Sequence, residues 1–144
     1  MFKLASALNA MALTALLGLA SLPAHADTPD YIYNDAEVPT ILKDYFHAWD
    51  AFDGDKVAAT FSKDGTFVDP QKPNGIRGED LARYVESMRL SKAVTTRFVK
   101  LGDGKFEVYW DFFDSNGKKL VWGMDTITVA AEAKISSVNS VWHY

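Results

Sequence analysis

The chain has 144 residues, no cysteine, 13% aromatic residues and a formal net charge of −4. That length holds one domain around a single core, and the missing cysteines exclude a disulfide scaffold. An acidic balance with no basic run and no interleaving of basic and aromatic residues argues against nucleic acid as a partner.

At the start, Lys3 is followed by an apolar run from Leu4 to Leu22, then Pro23 and the small-x-small triplet Ala24-His25-Ala26. This is the pattern of a secretory signal peptide over residues 1–26, with cleavage after Ala26. No lipobox cysteine follows. The expectation is an exported domain, periplasmic or secreted, over residues 27–144, with no membrane attachment once the leader is gone.

Asp27 to Ala36 is a polar lead-in with two tyrosines, and Pro39 suits the first turn of a helix. Val38, Ile41, Leu42, Tyr45, Trp49 and Phe52 then recur at three- and four-residue steps, which predicts an amphipathic helix with Tyr45 pointing inward. Asp53-Gly54-Asp55 breaks it and offers an acidic cap to a short second helix carrying Val57, Ala58 and Phe61, after which Lys63-Asp64-Gly65 turns the chain. Thr66 to Asp69 reads as the first strand, with Phe67 and Asp69 on one face, and Pro70 ends it.

Gln71 to Gly78 contains Pro73, Gly75 and Gly78 and reads as a loop at the mouth of a cleft. Glu79 and Asp80 open a third helix whose apolar stripe is Leu81, Tyr84, Val85 and Met88, and Arg89 and Lys92 close it in the order that the helix dipole favours. From Ala93 the pattern changes to four strands, Ala93 to Leu101, Lys105 to Phe113, Lys119 to Val129 and Ile135 to Tyr144. Gly102-Asp103-Gly104 and Ser115-Asn116-Gly117 mark two of the hairpin turns, and Ala131-Glu132-Ala133 marks the last without glycine. Three helices and a curved antiparallel sheet make an α+β architecture: a cone-shaped sheet with three N-terminal helices that enclose a pocket.

The stretch from Tyr45 to Asp69-Pro70, the Gly78-Glu79-Asp80 helix start and the four-strand tail resemble the nuclear transport factor 2-like superfamily, in particular its SnoaL-like and bacterial ketosteroid isomerase branches. The resemblance covers essentially all of residues 27–144. It implies Asp69 as a general base, Tyr45 as a hydrogen-bond donor 24 positions before it, and Asp125 as a carboxylic acid that stays protonated and donates. Asp125 shares its strand face with Val121, Ile127 and Val129, where apolar surroundings favour the neutral acid. The extra tyrosine that some isomerases bring from the third helix has no match in register, Tyr84 being out of step. The Arg-x-Asp pair of the epoxide hydrolase relatives is absent.

Each of these residues also has a plainer reading. Asp69 before Pro70 is a common turn former whose carboxylate accepts backbone N–H groups, and Tyr45 fits a core tyrosine. Asp125 is merely exposed if Leu120, Trp122 and Met124 form the inner face of its strand. His47 and His143 do not make a metal-binding spacing, and no cofactor motif or nucleophile elbow is present.

Two classes of function fit. One is a cofactor-free, proton-transferring isomerase or cyclase on a small carbonyl-bearing apolar compound, with Asp69 as base, Tyr45 and Asp125 as donors, and Phe61, Phe67, Met88, Phe98 and Trp110 as pocket walls. The other is a non-catalytic module that binds a small apolar ligand or, through an aromatic sheet face, a second copy of itself as a homodimer.

Overall fold

A computed structural model describes residues 37–88 and 92–144, and residues 30–32 as backbone. The leader expected over residues 1–26, its cleavage site and Arg89 lie outside the described residues. No helix among the described residues is long and apolar enough to cross a membrane.

In chain order the elements are β1 (Asp30–Ile32), α1 (Thr40–Asp50), α2 (Gly54–Ala59), β2 (Phe61–Asp69), β3 (Lys72–Ile76), α3 (Gly78–Ser87), β4 (Lys92–Gly102), β5 (Lys105–Phe113), β6 (Lys119–Val129) and β7 (Ile135–His143). The strands form one sheet in the order β1-β4-β5-β6-β7-β2-β3, curved and unclosed. Every neighbouring pair is antiparallel except β2 with β7, which run parallel. That exception departs from the all-antiparallel expectation. No hairpin turn joins these two strands, since α3 and four further strands lie between them in the chain, so their direction is free of turn geometry.

The helices pack on the concave face. Leu42, Tyr45 and Trp49 of α1, Val57 of α2, and Leu81 and Val85 of α3 meet Val108, Ile127, Ile135 and Val138 of the sheet in one buried cluster. α1 is shorter than the stripe from Val38 to Phe52 implies. The Pro39 carbonyl takes the first helical N–H bonds, from Leu42 at 2.9 Å and Lys43 at 3.3 Å, and Phe52 adopts a φ of 50° just past the end. Asp53 caps α2 by accepting from the Lys56 N–H at 3.1 Å.

Two sequence-based assignments change. Phe61 belongs to β2 rather than to α2, and Lys63-Asp64-Gly65 continues that strand through a register irregularity against β7 between Phe61 and Thr66. Residues that read as a turn are absorbed as a bulge. The expected loop from Gln71 to Gly78 contains β3, which pairs with β2 through Phe67 with Ile76 and Asp69 with Lys72. Because β3 is the edge of the sheet, Pro73 is tolerated there.

The inner face of β6 carries Gly123, Asp125 and Ile127, all buried, whereas Leu120 and Trp122 are 48% and 41% exposed on the outer face. Asp125 therefore points to the concave side.

Candidate active site

Asp125 is 4% exposed. It stands opposite Ser140 of β7 and diagonal to Trp110 of β5, so both neighbours reach it across the sheet. Trp110 Nε1–H donates to Asp125 Oδ1 at 2.8 Å and Ser140 Oγ–H donates to the same oxygen at 2.6 Å. Trp142 Nε1–H in turn donates to Ser140 Oγ at 3.1 Å, which fixes the serine hydroxyl as acceptor on one side and donor on the other. Both bonds to the carboxyl group fall on Oδ1, and Oδ2 is left as the oxygen that can carry a proton or meet a ligand.

Burial is the main cause that lifts the Asp125 carboxyl from its ordinary 3.8 to about 6; the Ser140 and Trp110 bonds pull it down, and the nearby Asp69 charge adds to the rise. A group with this value is mostly ionised at pH 7 and protonated in a minority of molecules. Burial thus moves this carboxyl group toward the protonated acid, the direction that the family resemblance implies for this position.

Asp69 is 2% exposed and is held from two sides. Its Oδ1 accepts the backbone N–H groups of Gln71 at 2.8 Å and Lys72 at 2.7 Å, closing the β2–β3 turn, and its Oδ2 accepts a short hydrogen bond from the Tyr84 hydroxyl. Tyr84, out of step as an isomerase tyrosine, is brought to Asp69 because α3 docks beside that turn. The tyrosine is kept in its phenol form by burial first and by the Asp69 bond second. Three donors thus occupy Asp69, in the geometry of a turn former.

Tyr45 is fully buried, edge-on to Phe46, Trp49 and Phe61. Its hydroxyl and the Trp49 indole N–H are buried with no hydrogen-bond partner among the described residues. Burial, then the Asp125 charge, raises the Tyr45 phenol well above its ordinary value, and the Trp49 N–H, facing the Tyr45 hydroxyl at less than ideal geometry, pulls it partly back. Buried donors without acceptors are costly and uncommon.

A cavity lies against these groups, lined by Phe46, Trp49, Phe67, Ala93, Thr95, Trp110, Phe112 and Asp125. Among the described residues of that lining, Asp125 is the sole ionisable one. The enclosed space is small, about 30 Å³, which suits one or two waters. Outside it, between α1 and β4, is a larger cleft of about 390 Å³ lined by Lys43, Phe46, His47, Asp50, Lys92, Ala93, Val94, Thr95 and Phe98. Phe46, Ala93 and Thr95 belong to both linings and form the partition.

Of the residues read from the sequence as catalytic, Asp125 lines the inner cavity, whereas Tyr45 and Asp69 do not. Of the expected walls, Phe67 and Trp110 line it and Phe98 lines the outer cleft. Phe61 and Met88 line neither. Phe61 packs on the Tyr45 ring with centroids 5.9 Å apart, and Met88 is half-buried against the core just past α3. Phe46, Trp49, Phe112, Ser140, Trp142 and Tyr84 carry parts of the site that sequence reading did not assign. Among the described residues, no group of His, Asp and Glu side chains could hold a metal ion.

No protein-family model matches the chain, and no curated protein does. Solved structures do. A SnoaL-like family protein from Agrobacterium tumefaciens, proposed to be an isomerase, superposes with a TM-score of 0.62 at 19% identity over 73% of this chain and 96% of its own. A proposed ketosteroid isomerase from Kribbella flavida gives 0.62 at 18% over 74% and 77%, and a proposed polyketide cyclase from Sinorhizobium meliloti gives 0.62 at 17% over 75% and 99%. The chain has the nuclear transport factor 2-like fold, and with it the α+β cone that its sequence implies.

Proposed function

We propose that this chain is a cofactor-free isomerase or cyclase that moves a proton on a small apolar compound bearing a carbonyl, with Asp125 as the base. The observation that carries this reading is the position of Asp125: a buried carboxyl group with Oδ1 pinned by Trp110 and Ser140, on a cavity whose other described lining residues are apolar or aromatic apart from Thr95. A value of about 6 lies near neutral pH, where a carboxyl group both takes and returns a proton efficiently. In this reading Asp125 Oδ2 removes a proton from the carbon next to the carbonyl, and the electron pair moves onto the carbonyl oxygen as an enolate. The Trp49 N–H, on the wall of the cavity, turns from the Tyr45 hydroxyl to that oxygen and stabilises it. The protonated Asp125 then returns its proton to another carbon of the conjugated system.

This exchanges the roles that the family resemblance implies. Asp69 holds the β2–β3 turn with Tyr84 and is a structural residue here, and Tyr45 supports Trp49 from behind.

A second reading rests on the narrowness of the cavity. Aromatic side chains fill most of the space beside Asp125, as expected of a module that binds a small apolar ligand without transforming it. In both readings we place the protein outside the cytoplasm, as its leader pattern implies, and assign the outer apolar residues Leu120, Trp122 and Val141, 48%, 41% and 42% exposed, to contact with a second copy.

The test is to incubate the protein with a β,γ-unsaturated ketosteroid and with a monocyclic β,γ-unsaturated ketone, following the conjugated enone by absorbance. Turnover is expected in the wild type, lost in Asp125→Asn and kept within about tenfold in Asp69→Asn. Loss in Asp69→Asn with retention in Asp125→Asn overturns the assignment of the base. Binding without turnover in the wild type supports the second reading.

A further inference from the structure

We propose that the Asp125 cavity is a receptor for the head group of a primary amine, an organic ammonium ion whose charged end sits against Asp125 among aromatic rings while its apolar body runs out past Phe46 into the outer cleft. The proposal rests on the reading of the inner cavity as a ligand site and not on Asp125 as a base.

The first support is a carboxyl group without a counter-ion. Asp125 is 4% exposed and mostly ionised at neutral pH, and the charge that acts on it, that of Asp69, has the same sign. Its Oδ1 holds two uncharged donors, Trp110 and Ser140, and its Oδ2 holds none among the described residues. Buried carboxylates are ordinarily paired with a cation or neutralised by a proton. The bases of the outer cleft do not supply the cation: His47 and Lys92 act on Asp50, and Lys43 has a partner of its own. A cationic ligand does.

The second support is the choice of walls. Phe46, Trp49, Phe67, Trp110 and Phe112 line the cavity together with Asp125. Aromatic rings carry negative charge on their faces, so a cation enclosed among them is attracted. Aliphatic walls would bury an apolar body equally well and would not favour charge. The rings also hold one another in place: Trp110 and Phe112 meet edge to face with centroids 4.9 Å apart, and Trp49 and Phe67 lie tilted at 5.9 Å.

The third support is size. The inner space of about 30 Å³ has room for one or two waters, and a primary ammonium group is close to a water in size. It enters without moving a wall, whereas a trimethylammonium head does not fit. Its N–H groups meet two oxygen-bearing side chains of the lining, Asp125 and Thr95. Phe46, Ala93 and Thr95 also line the outer cleft, and a methylene chain leaves the cavity there, where Ala93 presents only a methyl group. The body then lies in the cleft against Phe46, Val94 and Phe98. An ammonium group so placed and the proton transfer proposed above exclude one another, because both use Asp125 Oδ2.

The probes are 2-phenylethylamine, its uncharged counterpart 2-phenylethanol, and trimethyl(2-phenylethyl)ammonium, which keeps the charge on a head too large for the cavity. Their affinities are measured by calorimetry at pH 7.5 and pH 5 for the wild type, Asp125→Asn and, as a control on the exposed turn between β6 and β7, Glu132→Gln. At pH 7.5 the amine is expected to bind more tightly than either other probe by about tenfold or more. It is expected to weaken by about tenfold at pH 5, where Asp125, with its midpoint of about 6, is mostly protonated. The preference for the amine over the alcohol is expected to vanish in Asp125→Asn and to persist in Glu132→Gln. A carboxyl titration of the wild type by NMR, which needs no variant, is expected to show the Asp125 midpoint lowered by saturating amine and unmoved by the alcohol. Equal affinities for amine and alcohol overturn the proposal and leave the cavity reading standing. A preference that survives Asp125→Asn, a quaternary ion that binds as tightly as the amine, or an Asp125 midpoint that the amine does not lower overturns it as well, since the charge is then read elsewhere. Absence of binding by all three probes also overturns it, while turnover of the unsaturated ketones decides the reading of Asp125 as base separately.

Discussion

Gly123 and Trp110 stand opposite each other on β6 and β5, and the indole lies so close over the glycine that a Cβ there would fall 2.2 Å from its Cζ2. The glycine makes the room that lets Trp110 reach Asp125 Oδ1. Gly123→Ala must push the indole aside, a strain of about 1–3 kcal/mol. The Trp110 bond favours the ionised carboxyl group, so its loss moves the Asp125 midpoint further above 6. Urea unfolding and a carboxyl titration of the same variant check both effects.

The raised value of Asp125 also sets a pH dependence of stability. Its folded-state value of about 6 exceeds the ordinary 3.8, so the folded state holds this proton more tightly than the unfolded chain. The contribution is fully present below pH 3.8 and is lost as the pH rises through about 6. In Asp125→Asn, whose amide oxygen can still accept from Trp110 and Ser140, that loss disappears. Between pH 4 and pH 8 the stability of the variant is expected to gain on the wild type by on the order of 2–3 kcal/mol, read from urea midpoints across the range.

Much of this arrangement is legible in the residues. Period two in Lys119 to Val129 places Asp125 with Ile127, and the bounds of β5 and β6 follow from the turn residues around them. The relay from Trp142 through Ser140 is not legible. It depends on the β6–β7 register, which is set by a turn with no glycine in which Ala133 takes a φ of 56° and donates to the Ala130 carbonyl at 2.9 Å. The Tyr84 bond to Asp69 is hidden for a related reason. It needs the β2–β3 hairpin, whose second strand reads as a loop because Pro73 and Gly75 lie in it. Phe46 falls off the inward stripe of α1 by a single position and is still a wall, because the sheet curves around more than one face of that helix.

Tyr84 and Asp69 are expected to behave as a structural pair. Tyr84→Phe removes one of three donors to a buried carboxyl group and costs about 1–2 kcal/mol. Asp69→Ala also frees the two turn N–H groups and costs more, about 2–4 kcal/mol, whereas Asp69→Asn keeps an oxygen for the turn and costs less. A double-mutant cycle by denaturant unfolding isolates the coupling between the two side chains.

Tyr45→Phe deletes a buried hydroxyl group that has no partner. The variant is expected to match the wild type in stability or exceed it by about 1 kcal/mol, a result that thermal unfolding shows directly. A loss above 1 kcal/mol would mean that the hydroxyl is bonded in the folded protein.

The central claim is that Asp125 is the titrating group of this cavity, and the most direct measurement of it follows the Asp125 carboxyl carbon by NMR from pH 3 to pH 9 in the wild type and in Ser140→Ala. The expected midpoint is about 6 in the wild type, and higher in Ser140→Ala, which lacks a bond that favours the ionised form. A wild-type midpoint near the ordinary 3.8, unmoved by the serine substitution, would contradict the claim and leave the cavity without its base.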